Sequence, residues 1–413
     1  MASLLESYAA VAGGDAIRHL QQLSEPLQGM KVVHVNSTRL GGGVAEILTK
    51  LIPLTRELGI DAQWEVISGD EDFFYCTKSM HNALQGKSAN IPARLLDKYV
   101  QINEQNAEKL RPVLEDADFV FIHDPQPAAL IHFCPNRRGT WVWRCHIDAS
   151  QPYRPVWKFL REYIREYDAS IFSLAKFSQT LPHSQYIIPP SIDPLSDKNV
   201  ELSRKELEQI SKTYQLEERH PLLVQVSRFD RFKDPVGVIR AYKMARRFMP
   251  SLHLILAGGE ATDDPEGAEV LAEVREAAAD DDSIQILLLP PDAHRVVNGL
   301  QRKADVILQK STREGFGLTV TEGLWKGKPV IGGNAGGIAQ QVIDHQTGYL
   351  VNSPEGAALR IRYLLHNPDK LEEMSIKARA FVRDNFLLTR QLREHLTLIV
   401  GLIHGASDRI VLG

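Results

Sequence analysis

The nine residues from Glu314 to Glu322, EGFGLTVTE, combine the groups that hold a sugar nucleotide. Gly315 and Gly317 leave backbone N–H groups free to approach an anion. The segment Leu318–Thr319 reads as the start of a helix whose positive end favours a diphosphate. Glu314, before the turn, can take hydroxyl donors from a sugar; Glu322, about two helical turns further on, can take those of a ribose. An ordinary strand-to-helix turn with two surface glutamates has the same letters, so the reading depends on what else reaches that edge.

SRFDRFKD at 227–234 supplies basic groups. It follows the apolar run LLVQVS and precedes a helical pattern, which puts Arg228 and Lys233 at the carboxyl edge of a sheet, where open α/β sheets bind ligands. A guanidinium and an ammonium converging on a diphosphate neutralise charge that grows on a leaving group as a glycosidic bond breaks. Alone, the pair reads as a solvated turn. The EGFG turn follows ADVILQKS, another strand of the same set, and so opens on the same edge.

The first half carries a second set. Gly41, Gly42 and Gly43 follow KVVHV and supply N–H groups near a helix start, although a flexible turn without ligand explains them equally. They lack the G-x-G-x-x-G spacing and have no acid about twenty residues on, which argues against a nicotinamide enzyme. His146 and Asp148 end the strand-like TWVWRCHIDAS, where they can bind sugar hydroxyls or orient an acceptor. His146 reads equally as a hydrogen-bonded core residue, Trp141 and Trp143 read as packed into the sheet, and Asp124 reads as readily as a cap or turn residue. Gly336 and Gly337 either face ligand or turn the chain; Gly348 reads as a turn. There is no G-x-S-x-G elbow, no G-x-x-x-x-G-K-[ST] loop and no H-E-x-x-H pair.

Two α/β halves must position these groups. Strands are expected at 31–35, 63–67, 118–123, 140–146 and 169–174, and again at 222–227, 252–259, 283–289, 304–311 and 329–333. Helical patterns cover 45–59 and 234–248, and AEVLAEVREAAA reads as a further helix. IIPPSIDP at 187–194, with three prolines, reads as the connection. At 413 residues the chain favours two domains, with 43% hydrophobic and 24% charged residues typical of a soluble globular protein. Forty-eight Lys and Arg stand against 52 Asp and Glu, so no global charge points to nucleic acid or an anionic membrane. Three cysteines, Cys76, Cys134 and Cys145, lack metal-ligand spacing and suit a reducing cytoplasm. No secretory signal or run of about 20 apolar residues is visible, and no membrane partner is expected.

SRFDRFKD, EGFGLTVTE, GGNAGG, the IIPPSID linker and the early GGG together resemble the retaining glycosyltransferases of family 4, over nearly the whole chain. Within it, GGGVAE, WRCHID and SRFDRFKDP are most similar to the trehalose glycosyltransferring synthases, which join glucose from a nucleoside-diphosphate glucose to free glucose. The resemblance implies a GT-B architecture: two Rossmann-like, doubly wound parallel-sheet domains facing across a cleft. The acceptor-side domain would span 1–190 with a crossing helix in 385–413, and the donor-side domain 191–384. Carried over, Arg228 and Lys233 grip the donor phosphates, Glu314 meets the glucosyl ring and Glu322 the ribose. Gly315, Phe316, Gly317, Leu318 and Thr319 meet phosphate or sugar. His146 would contact the transferred glucose, Asp148 the acceptor, and Gly42 and Gly43 would close over the substrates. The reaction would retain the α configuration by same-face attack, without an obligatory cofactor or structural metal and with Mg²⁺ in at most an assisting role. The partners would be a sugar nucleotide and glucose; a homodimer stays open. Another acceptor, giving a sucrose-like or glucosylglycerate-like product, a sugar-nucleotide epimerase on the same architecture, and a sugar-nucleotide sensor without turnover are the alternatives.

Overall fold

The apolar runs become the strands of two parallel sheets. The computed structural model describes residues 3–39, 43–216, 221–259, 265–279 and 281–405, so Gly41, Gly42 and the last residues of the expected terminal segment lie outside the described residues. The chain divides into two compact units, Met1–Ser191 with Leu388–Gly413, and Ile192–Leu387.

In the first unit the strands are β1 (Lys31–Asn36), β2 (Asp61–Val66), β3 (Phe119–His123), β4 (Thr140–Cys145), β5 (Ala169–Phe172) and β6 (Ser184–Ile187), in the order β2-β1-β3-β4-β5-β6. Every pairing is parallel. Residues in parallel register share a face, so the pairs His34–Phe121, Phe121–Val142 and His123–Arg144 put the polar side chains on one side. Val33, Val35, Val120, Ile122, Trp141 and Trp143 fall on the other, in one buried core with Phe73 and Tyr99. Both tryptophans are fully buried, as their period of two leads one to expect.

The second unit adds β7 (Leu222–Val226), β8 (His253–Gly259), β9 (Ile284–Leu289), β10 (Val306–Gln309), β11 (Val330–Gly333) and β12 (Gly348–Val351), ordered β12-β11-β10-β7-β8-β9. Counted from β7 this is the 3-2-1-4-5-6 order of a Rossmann sheet, while the first unit follows the related 2-1-3-4-5 order. Leu223, Leu254, Leu256, Val306, Leu308 and Ile331 form its core with Val238, Ile239 and Tyr242 of the helix Pro235–Arg246. Two parallel six-stranded sheets with flanking helices make this a GT-B fold. No helix among the described residues is long and apolar enough to cross a membrane. The three cysteines are free and buried.

The last described helix, Leu388–Ile403, belongs to the first unit. Its Arg390 is buried, donates from both terminal nitrogens to the carbonyls of Pro189 and Pro190 at 2.9–3.0 Å, and pairs with Glu394 at 2.6 Å. Ser191 adds a 2.6 Å bond to Gln391. Two prolines in succession supply carbonyls with no ladder partner of their own, and the guanidinium fork satisfies them. Arg390→Ala strands those carbonyls and Glu394 together. It should lower stability by about 3 kcal/mol, with Arg390→Lys recovering only part. Thermal and urea unfolding of the full chain check this; an unchanged midpoint in Arg390→Ala would contradict it.

Candidate active site

In the second unit the sheet order reverses between β7 and β10, so the loops leaving those two strands flank the point where such sheets bind ligands. Lys233 comes from the first loop and Glu314 from the second. Lys233 Nζ and Glu314 Oε2 meet at 2.5 Å, with side chains 18% and 9% exposed. Ser311 Oγ donates to the same carboxylate oxygen at 3.2 Å.

Both loops are stiffened locally. Asp230 accepts from the Phe232 N–H at 2.7 Å, and Asp234, at φ +49°, caps the next helix through the Gly237 N–H. Thr312 N–H donates to the Phe232 carbonyl at 2.8 Å, and Lys310 pairs with Asp234. Gly317 begins the helix Leu318–Trp325 at φ +85°. Gly336 sits at φ +50°, where a Cβ would stand 1.5 Å from the Glu314 carbonyl oxygen. The GGNAGG glycines thus let one backbone press against EGF and fix the base of Glu314.

The other expected donor residues are placed as follows. Phe316 is buried against Phe386, and the Gly315 carbonyl accepts from Gly337 N–H at 3.2 Å. Leu318 opens the helix, and Thr319 Oγ1 bonds Gln309 at 3.4 Å. Glu322 is buried one turn in. Arg228 stands apart from the Lys233–Glu314 pair: its side chain is 74% exposed and lies 3.7 Å from Asp230. Past the helix end, Lys326 Nζ donates to Asn199 Oδ1 at 3.1 Å and to the Glu322 carbonyl at 3.2 Å. Burial pulls the Lys326 ammonium down to about 7, against the opposing pull of Glu322.

The first unit presents histidines at its edge. Its order turns at β1 and β3, and the segments after β3 and β4 carry Asp124 and His146. Asp124, at φ +65°, accepts from the His146 backbone N–H at 2.8 Å, while its own carbonyl accepts from Trp143 Nε1. The residue read as a turn former therefore sets the position of His146. Burial raises its carboxyl to about 6 despite that hydrogen bond and the Arg144 charge. His146 Nε2 lies 3.0 Å from His123 Nδ1, and burial, then Arg144, holds its pKa well below the usual value. Asp148 accepts from the Ser150 N–H in a local turn, and Gly43 opens the helix Gly43–Glu57. His34 and His123 were not among the expected site residues. Their signal was present: KVVHV and FVFIH each carry a lone histidine near the carboxyl end of an apolar strand.

Both units match known sequences. Residues 34–179 match the description "Trehalose synthase, N-terminal domain" and residues 207–381 "Glycosyl transferases group 1". A trehalose synthase of Pyrococcus horikoshii is 44% identical over 96% of this chain and 95% of its own. The chain belongs to the trehalose synthase family. A family member from Rubrobacter xylanophilus is 40% identical over 97% of both chains. Among solved structures, a UDP-forming α,α-trehalose-phosphate synthase from Burkholderia xenovorans shares the fold at TM-score 0.72 and 14% identity, covering 90% of this chain and 98% of that one. The family and the fold make the chain a GT-B glycosyltransferase.

Lys326 gives this region a pH signature. The native lysine loses its proton near pH 7, whereas the unfolded chain keeps it to the ordinary 10.5. Between those values the unfolded state binds more protons, so stability rises with pH. Relative to Lys326→Met, the wild type should gain about 2 kcal/mol between about pH 7 and pH 9. Unfolding midpoints of both proteins across that range test it; parallel profiles would show that the lysine is charged in the native state.

Proposed function

We propose that this chain transfers glucose from a nucleoside-diphosphate glucose to free glucose, with retention, to give α,α-trehalose. Family membership across nearly the whole chain supports trehalose as the product. The observation that carries the chemistry is the Lys233–Glu314 pair at the switch point of a Rossmann sheet, beside a helix N-terminus. In this reading the ammonium of Lys233 faces the diphosphate as charge develops on it, with the exposed Arg228 as a second cation. Backbone N–H groups at Gly317, Leu318 and Thr319 meet the phosphates. Glu314 takes sugar hydroxyls on the oxygen that Lys233 and Ser311 leave free, and Glu322 takes the ribose. On the other unit, His146 and Asp148 contact sugar hydroxyls, and Gly42 and Gly43 are assigned to closing over the substrate.

The glucosyl C1–O bond to the diphosphate breaks, the acceptor oxygen bonds to C1 on the same face, and the departing diphosphate takes the acceptor proton. An α-linked donor then gives an α-linked product. The reaction needs no metal; Mg²⁺ at most assists, so turnover should survive EDTA.

The deciding experiment incubates the purified chain with UDP-, ADP- and GDP-glucose and ¹³C-labelled glucose and identifies products by NMR. Labelled α,α-trehalose with released nucleoside diphosphate is the expected result. Donor consumed only with another acceptor would move the function to that product. Donor bound without turnover would favour a sensor. A second arm follows from relatives named trehalose phosphorylase, one from Pleurotus pulmonarius being 29% identical over 92% of this chain. Trehalose loss driven by inorganic phosphate alone would replace the nucleotide-dependent reading.

Lys233→Ala should lower kcat by about 10²–10³-fold, the scale of losing one transition-state charge contact. Glu322→Ala should weaken nucleoside-diphosphate affinity by roughly tenfold with little change in kcat, since ribose contacts change little along the reaction. Steady-state kinetics and calorimetric titration separate the two; near-normal turnover in Lys233→Ala removes its assigned role.

A further inference from the structure

Three histidines, two on the adjacent strands β1 and β3 and one just past β4, form one hydrogen-bonded chain below the first unit's edge. His34 Nδ1 lies 3.0 Å from His123 Nε2, and His123 Nδ1 lies 3.0 Å from His146 Nε2. Successive ring centroids are 5.3 Å apart, with planes inclined by 22° and 19°. Two ring radii and one N···N contact account for that spacing, so the imidazoles run edge to edge in nearly one plane. Hydrogen bonding through ring nitrogens needs that arrangement; face-to-face stacking does not give it.

Burial keeps the chain neutral. It takes His34 down to about 3 and His123 well below its usual value, and it acts on His146 in the same direction. The neighbouring groups reinforce this: Arg144 is buried beside His123 and His146, and His395 lies against His34. Asp124 holds the His146 backbone, and Arg390 stands behind His395 with Glu394 as its counter-charge.

A neutral imidazole has one N–H and one lone pair. Both links join Nδ1 of one ring to Nε2 of the next, so the three protons move as a set. If His34 carries its proton on Nδ1, His123 and His146 must do likewise. If His146 carries its proton on Nε2, so must the other two. Any mixed set faces two lone pairs or two N–H groups across 3.0 Å in a dry interior, where an unmade hydrogen bond is costly.

We propose that His34 and His123 are positioning residues that tie the tautomer of His146 to their own, so that the role in which its remaining nitrogen, Nδ1, meets the sugar is set by the whole chain. The proposal rests on the reading of His146 as a sugar contact. It extends the functional edge about two strands into the sheet, to residues that touch no substrate. His34 stacks on Phe121 at 4.6 Å and 14°, with His395 6.4 Å away, so an aromatic replacement keeps its packing.

The test uses the full chain labelled with ¹⁵N-histidine, observed by NMR at neutral pH, with signals assigned through His34→Phe, His123→Asn and His146→Gln. The three rings should all be Nδ1–H or all Nε2–H, and in His34→Phe the His146 signal should change tautomer or become a mixture. In the same variant kcat should fall roughly 3- to 10-fold with KM little changed. One ring of opposite tautomer, a charged ring, or a His146 signal untouched in His34→Phe overturns the lock. Expected spectra with unaltered kcat overturn the positioning role. If His34→Phe fails to fold, His34→Gln gives the same comparison, and the wild-type tautomers are decisive alone. A wild type that makes no trehalose would instead count against the proposed function, and the spectra would still judge the lock.

Discussion

The meeting of Lys233 with Glu314 depends on sheet order before it depends on either residue. The two lie 81 positions apart, and only the placement of β10 beside β7 brings their loops together. A mostly buried ammonium needs a counter-charge, and a mostly buried carboxylate needs donors. Each supplies the other at 2.5 Å, with Ser311 as a further donor. The surrounding contacts keep that geometry: Thr312 to Phe232, Lys310 to Asp234, and the glycine that lets the next loop press on Glu314. A sheet with β10 at an edge would leave two unrelated surface loops.

The two carboxyl edges divide the physical work. In the second unit the edge is charged, with a lysine already paired and an arginine of the same loop left exposed. An anion reaching such an edge meets a cation that its existing partner already holds in place. In the first unit the edge offers imidazoles that burial keeps uncharged, while Asp124 is spent on a backbone N–H. Neutral donors and acceptors of fixed direction suit hydroxyls, whose recognition depends on orientation more than on charge. The division follows from the residues each sheet order brings to its edge, and it accords with a phosphate-bearing donor and an uncharged acceptor.

The strands written as apolar runs with β-branched residues were legible, because burial on both faces of a parallel sheet demands such runs. β6, SQYI, was not legible: it is an edge strand with exposed and half-exposed residues, so no apolar signal is required of it. β12, GYLV, escaped for a different reason. Its glycine was read as a turn, whereas it begins the strand because a Cβ there would stand 2.1 Å from the Val330 carbonyl oxygen. At the site, EGFG and the basic loop were readable as local chemistry, but their pairing was not, since contact across 81 positions is a property of topology. The separate, exposed placement of Arg228 was equally invisible, because RFDRFK gives no sign of which cation turns inward. Asp124 was undervalued for a related reason: a carboxylate after a strand looks like a turn former until its partner, a backbone N–H 22 residues away, is known.

The pairing also bears on how a retaining transfer can proceed at this edge. Double displacement requires a carboxylate that is free to attack C1, and a good nucleophile is one whose lone pairs are not already held. One oxygen of Glu314 accepts from an ammonium and a hydroxyl together, which withdraws electron density from the carboxylate and fixes its direction. Such a group is better suited to accept sugar hydroxyls than to form a glycosyl ester. If the donor is a nucleoside-diphosphate sugar, as proposed, the same ion pair keeps Lys233 in place to offset charge that grows on the departing diphosphate. On the proposed reading, same-face attack asks of these residues what their geometry already provides, whereas a covalent intermediate would have to form at the remaining Glu314 oxygen, on a carboxylate whose charge Lys233 already offsets.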